Sequence, residues 1–383
     1  MKGSMIVGVM VSKDLMSQGY PFLESIYSFL GWGDFLYVGD DSSDPTGDIL
    51  RRISGGRLRV LRVPWASAGE EGGGVMKGTR GEAIGRAYSA LLGEVRKGLG
   101  RGDWVYELQA NEVFHEDAYE VMRSLPSLHP GKTKFMVPFH GFHGPYLTEE
   151  VWRLRYAWAG LDLTAVGDGY RLGSRESYPV ARLAKLLLAL LGSTAWAPDP
   201  HCSLFSAAEE ALEPAAVKPV FRYGMPLPRD AVEKMRRHAE LWAGQTDYRD
   251  FYGFVEEAAR ASGGDPQAFW KQTAAEFCRR VGKTGSTPVK VPVEAHPSVM
   301  REFLTSRAPS YAEIDHGELE EMIVARASEK PGARLPRCPD EDGLDRASPL
   351  HREPAPSQGV RELVEEVSQG RARFLGFEAK TLK

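Results

Sequence analysis

The sequence predicts an α/β protein: a mostly parallel central sheet between two helical layers, followed by a C-terminal helical region. Three observations carry this. Short apolar strands alternate with helical stretches over residues 5–108, polar loops stand where the second and fourth strands end, and beyond residue 229 the periodicity is helical.

The elements follow in order. Residues 5–11 form a short apolar run ending in Ser12-Lys13-Asp14; no small-residue cleavage site follows, so it reads as a strand and not as a secretion signal. Residues 21–30 are helical. A second strand over 35–38 ends in Gly39-Asp40-Asp41-Ser42-Ser43-Asp44, with Asp44 as N-cap and Pro45 as first residue of a helix over 45–53. A third strand covers 58–63. A glycine-rich loop, 69–78, opens a long helix over 79–97, and a fourth strand covers 103–108. Past residue 134 the pattern loosens: a strand over 135–139 leads into a loop, His140-Gly141-Phe142-His143-Gly144, and 152–158 fits either period. Helices follow over 229–243, 247–261 and 266–281, the last two parted by Gly263-Gly264 with Asp265 as cap. The expected division is 1–245, a helical region over 246–327, and a polar linker and tail over 328–383 with a short helix at 360–366.

Composition bounds the function. The 383 residues carry a formal net charge of -4 and no basic run interleaved with aromatics, which argues against a nucleic-acid partner. Three cysteines lie far apart without a CxxC pair, so neither a disulfide framework nor a cysteine zinc site is expected, and the natural compartment is the cytoplasm. The apolar run 183–191 contains Lys185 and is about half the roughly 20 residues a membrane span needs. It reads as a buried or amphipathic helix, which leaves peripheral membrane contact open.

Two constellations can carry chemistry. Acidic and hydroxyl side chains at a strand's carboxyl end, as in residues 40–46, accept hydrogen bonds from a base and from ribose hydroxyls; the plainer reading is a capped strand-to-helix turn. Two adjacent aspartates ahead of the cap exceed what a cap requires, so one of them is assigned to a ligand. His140 and His143 either join Glu112 and His115 at a metal or line an acceptor pocket in which a sugar stacks on Phe139, Phe142, Tyr146 or Trp152. An H-x-x-H pair off a helix lacks regular ligand spacing, which favours the second over the first. A glycine-enabled turn with locally bonded histidines is the third reading.

Residues 11–50, VSKDLMSQGYPFLESIYSFLGWGDFLYVGDDSSDPTGDIL, resemble the opening of a family 2 glycosyltransferase of the GT-A fold. Thr79-Arg80-Gly81 followed by GDWVYELQANEVFHED (102–117) resembles a later passage of that family, and 220–252 resemble a segment that follows its catalytic domain. The resemblance implies a three-layer α/β/α sandwich that binds a nucleotide-sugar. Ser12, Asp40 and Asp41 would bracket base and ribose, and Arg80 with Lys77 would face the diphosphate. The family's two metal-handling aspartates fall on Gln109 and Asn111, leaving Glu112 as the one charge, and a family histidine falls on Arg222. Neutral amides hold Mg2+ or Mn2+ far less well than carboxylates, and a guanidinium holds neither. No metal ligand is therefore assigned, and transfer with weak or no metal dependence is expected. An inverting transferase also needs a carboxylate base. Glu176, beside Arg171, Arg175 and Arg182, ranks first, with Asp168 and Asp162 as the other candidates. The preferred function is sugar transfer from a nucleotide-sugar to an acceptor that the sequence does not name. The alternative is a non-catalytic nucleotide- or sugar-binding protein. A nucleotidyltransferase ranks last, because Val11-Ser12-Lys13-Asp14 is not a glycine-rich basic loop.

Overall fold

Strand β1 (Ile6–Ser12) is buried along its whole length. Such a strand needs a neighbour on each edge and a layer on each face. It pairs in parallel with β2 (Phe35–Asp40) on one side and β4 (Trp104–Glu107) on the other, and β2 pairs in parallel with β3 (Leu58–Arg62). The two-residue alternation divides β1 between two cores. Ile6 and Met10 pack with α1 (Phe22–Leu30) and α2 (Thr46–Ile53), whereas Val7, Val9 and Val11 pack with Ala87, Tyr88 and Leu91 of α3 (Arg80–Val95). The chain thus runs outward from β1 to β2 and β3, then crosses back to β4, so its winding reverses at the gap between β1 and β4. The computed structural model describes residues 4–65, 80–100, 102–128, 134–158, 164–165, 195–196, 204–205, 220–241, 246–280 and 288–331.

Beyond β4 the sheet changes character. Its order is β3-β2-β1-β4-β7-β6-β11-β5, where β5 is Glu112–Phe114, β6 Lys134–His143, β7 Tyr146–Trp158 and β11 Val220–Met225. Strand β6 is parallel to β11, while β4–β7, β7–β6 and β11–β5 are antiparallel, as is β12 (Val289–Lys290) on β7. A second sheet is built from the two-residue strands β8 (Thr164–Ala165), β9 (Ala195–Trp196) and β10 (Leu204–Phe205). The expected single, mostly parallel three-layer sandwich of GT-A type is therefore corrected. Among the described residues there are two sheets, and half the pairings of the larger one are antiparallel, with a tight Gly144-Pro145 turn making β6 and β7 a hairpin.

The loop expected at 140–144 is corrected as well. Strand β6 continues through His143, and 152–158 is strand. Pro138 removes a ladder donor, but it stands one residue before the first described β11 pairing, at Phe139–Val220, so among the described residues β7 is its strand neighbour.

Four residues, 108–111, join β4 to β5, although three strands lie between them in the sheet. A flat sheet would put those strands about 19 Å apart, more than the roughly 17 Å that the connection spans when extended. The sheet therefore coils, bringing β5 back against α1: Ser25 Oγ donates to Gln109 O at 3.0 Å, and Phe114 N donates to Ser28 Oγ at 3.1 Å.

Helices α4 (Tyr119–Leu128), α5 (Pro228–Leu241), α6 (Thr246–Ala261), α7 (Pro266–Arg280), α8 (Arg301–Thr305) and α9 (Gly317–Ser328) complete the described α-helices. Trp270 of α7 lies over Gly144, at φ +54°, where a Cβ would come within 2.1 Å of the indole. Helix α9 packs on α1. Arg326 donates to Tyr27 O and Oη at 2.9 and 2.8 Å, and buried Arg57 donates to Gly33, Leu30 and Arg326 carbonyls, so one guanidinium closes the ends of two helices. One apolar core reaches from Ile6 to Ala327. Among the described residues no helix is long and apolar enough to cross a membrane.

Candidate functional site

The carboxyl ends of β1 and β2 are adjacent, with Ser12 opposite Asp40. The loop that leaves β2 is knitted to the turn that leaves β1. Asp40 Oδ1 accepts from Ser42 Oγ at 2.6 Å, and Ser42 Oγ accepts from Asp14 N at 2.9 Å. Ser12 is fully buried, its Oγ 3.4 Å from that of Ser42, and Asp40 is buried beside it. Asp41 is the more accessible acid; its Oδ2 accepts from Lys13 Nζ at 3.2 Å and from Trp65 N at 3.0 Å. Asp44 Oδ1 accepts from Thr46 N at 2.9 Å, which is the expected capping bond, with α2 starting one residue late.

Asp14 sits at the centre of this knot. Burial alone would raise its pKa, but the Ser43 amide and the Arg237 guanidinium outweigh burial and hold the carboxyl below its ordinary value.

Across the β1–β4 gap lies the turn Gln109-Ala110-Asn111-Glu112. Glu112 N donates to Gln109 O at 3.0 Å, and Glu112 Oε2 accepts from Gln109 N at 3.1 Å. Tyr88 of α3 fixes the entry to this turn through Leu108 O at 2.8 Å. Asn111 is buried; its Nδ2 donates to Tyr223 O at 3.1 Å, and its carbonyl accepts from Tyr223 N at 2.9 Å. The turn's one carboxylate thus faces a backbone amide, and the second amide side chain bridges to β11. This donor set does not fit Mg2+ or Mn2+, which take converging charged oxygens. Among the described residues no group of three or more His, Cys, Asp or Glu is arranged to hold a metal ion.

Arg222 pairs across the sheet with Glu112 on β5 and Gly141 on β6, and Gly141 pairs with Glu149 on β7. A Cβ on Gly141 would lie 2.2 Å from Glu149 Cγ. Its absence lets Glu149 cross β6 and accept from Arg222 Nη1 at 3.1 Å. His140 and His143 lie on opposite faces of β6: His140 beside Phe221, His143 against Phe277 of α7. Burial pushes them down to about 4 and about 3, so both are neutral at pH 7.

The structure therefore brings Ser12, Asp40 and Asp41 together at one strand end and Gln109, Asn111 and Glu112 together at the other side of the gap. Arg222, His140 and His143 belong to the β6–β11 half of the sheet. Arg80 is the first residue of α3, its side chain beyond what is described, and Lys77, Asp168, Glu176 and Asp162 lie outside the described residues. Sequence reasoning missed Asp14, Arg237 and Glu149. Only Asp14 carried a signal, as an acid two residues after a strand.

No family model matches the chain, and no curated protein matches it. Expected membership in family 2 glycosyltransferases of the GT-A fold is corrected by the two sheets described above, which are not the single sandwich that the resemblance implied. Among solved structures, that of S. aureus TarS is 14% identical, covers 85% of this chain and is itself covered over 55% of its length, with a TM-score of 0.32. The TarS fragment 1–349 in complex with UDP is 13% identical, with 85% and 90% covered and a TM-score of 0.33. A likeness of this degree assigns no residue and no activity.

Proposed function

We propose that the chain binds a nucleotide-sugar in the crevice between the ends of β1 and β4, in the cytoplasm, and transfers the sugar to an acceptor hydroxyl. One observation carries this reading: the acidic loop 40–44 and the turn 109–112 flank the point where the winding of the parallel strands reverses. That is where open α/β sheets bind ligands, outside the strands' carboxyl ends. Asp41 is the accessible acid for a base or ribose donor, with Lys13 beside it. Arg80, at the first position of α3, and Lys77 are proposed to face the diphosphate, where a helix N-terminus favours an anion. In the transfer the bond from anomeric carbon to diphosphate oxygen breaks, and the acceptor oxygen bonds to that carbon. Its proton passes to a carboxylate, proposed as Glu176 or Asp168. The leaving nucleoside diphosphate takes the electron pair.

The amide-bearing turn favours a second reading, a binding protein without transfer, because its donor set does not suit the usual cation. Calorimetry with UDP, GDP, ADP, CDP and dTDP tests the binding step that both readings share. One of the five is expected to bind, and Asp41→Ala is expected to weaken it at least about tenfold, the equivalent of roughly 1.4 kcal/mol. Absence of binding, or unchanged affinity in Asp41→Ala, contradicts the assignment. Release of free sugar from the matching nucleotide-sugar separates the enzyme from the binding protein.

A further inference from the structure

Asp14 is, among the described residues, the non-glycine residue with positive φ, +52°, and it is fully buried. Side chains rarely adopt that backbone region, and here the surroundings hold it. One carboxylate oxygen collects Ser43 N at 2.6 Å, Ser43 Oγ at 3.0 Å and Asp44 N at 3.2 Å. The other accepts from Arg237, 223 residues later on α5, whose Nη1 also donates to Ser17 Oγ at 2.9 Å. Ser17 N closes the ring on Asp44 Oδ2 at 2.8 Å.

Helix α5 clasps the turn 14–20 with one face. Asp230 lies under Gly19, which has φ +65° and no room for a Cβ, since one would sit 2.3 Å from Asp230 Cβ. Lys234 Nζ stands 4.1 Å from the centre of the Tyr20 ring, and Arg237 meets Asp14 and Ser17. Positions 230, 234 and 237 are i, i+4 and i+7, one stripe of a helix.

We infer that Arg237 is a positioning residue of the nucleotide site: through Asp14 it fixes the 41–44 loop in the shape that presents Asp41. This rests on the nucleotide reading of that loop. Helix α5 thereby contributes to nucleotide affinity without touching the nucleotide. Removal of Arg237 leaves a buried carboxylate without its counter-charge. Asp14 must then take a proton or admit water, and in either case it loosens its hold on the Ser43 and Asp44 amides.

Two readouts on the full chain test this: calorimetry with the five nucleoside diphosphates, and hydrogen exchange at residues 41–44 without nucleotide. Arg237→Met is expected to weaken the bound diphosphate about tenfold and to speed exchange at Ser43 and Asp44. Arg237→Lys, which keeps the charge but loses the fork, is expected to fall between it and the wild type. Arg237→Lys carries the test if Arg237→Met does not fold. Wild-type affinity in both variants, with Asp41→Ala defective, overturns the inference and leaves the nucleotide reading standing. If the wild type binds none of the five, the nucleotide reading falls and the affinity role of Arg237 falls with it. Unchanged exchange at Ser43 and Asp44 then overturns the positioning role too.

Discussion

Asn111 ties the turn after β4 to β11 with both its side chain and its backbone. An aspartate there would set a carboxylate oxygen against the Tyr223 carbonyl, acceptor facing acceptor. Asn111→Asp is therefore expected to lose about 1–3 kcal/mol in urea unfolding at pH 7, and to recover part of it at pH 4, where the acid regains a proton to donate. Unchanged stability together with new Mn2+-dependent binding would show instead that the amide merely replaces a lost metal ligand. Gly141→Ala is a second test at this scale. Its Cβ would meet Glu149 and push it off Arg222, at an expected cost of about 1–3 kcal/mol, read from thermal melts. At single residues the sequence made the acids of the 40–44 loop and the cap at Asp44 legible, because those bonds are local. Arg237 was illegible, because its partner is 223 residues away.

At the scale of elements, α1, α5 and the segment before α9 meet at Tyr311. Its Oη donates to Glu24 at 2.8 Å, its amide N donates to Asp230, and its carbonyl lies 2.9 Å from His316 Nε2. Burial pushes Glu24 and Asp230 up to about 7, from ordinary values of 4.5 and 3.8, against the opposing effect of the hydrogen bonds from Tyr311. Between about pH 4 and pH 7 the folded protein holds protons that the unfolded chain has released, so their contribution to stability falls as pH rises through that window. Glu24→Gln is expected to flatten the fall and to raise stability at pH 8 by on the order of 2–3 kcal/mol. Urea midpoints at pH 5.5 and pH 8 check this; equal slopes in variant and wild type would contradict it. Elements with clear alternation and caps, such as β1, β2 and α5–α7, were legible in the sequence. The far half of β6 was not, since Gly141 and two histidines read as loop chemistry. They are strand residues because β7 and β11 flank them, and that pairing is non-local.

For the whole molecule, the parallel half built on β1 was legible and the antiparallel half was not. A hairpin closed by two residues and a four-residue crossing from β4 to β5 decide the second half, and neither leaves a periodic signal. The core that runs from Ile6 to Ala327 also joins the C-terminal helices to the sheet. A fragment ending at residue 245 would lack α7 and uncover the β6–β7 hairpin under Trp270. It is expected to bind a hydrophobic dye and to lose the cooperative melt of the full chain; a sharp melt in the fragment would contradict this. Hydrogen exchange with and without the bound nucleoside diphosphate locates the site on the molecule. Protection is expected at residues 12–14, 41–44 and 108–112, on both sides of the β1–β4 gap. Protection confined elsewhere, for instance to the segment 289–328, would contradict it.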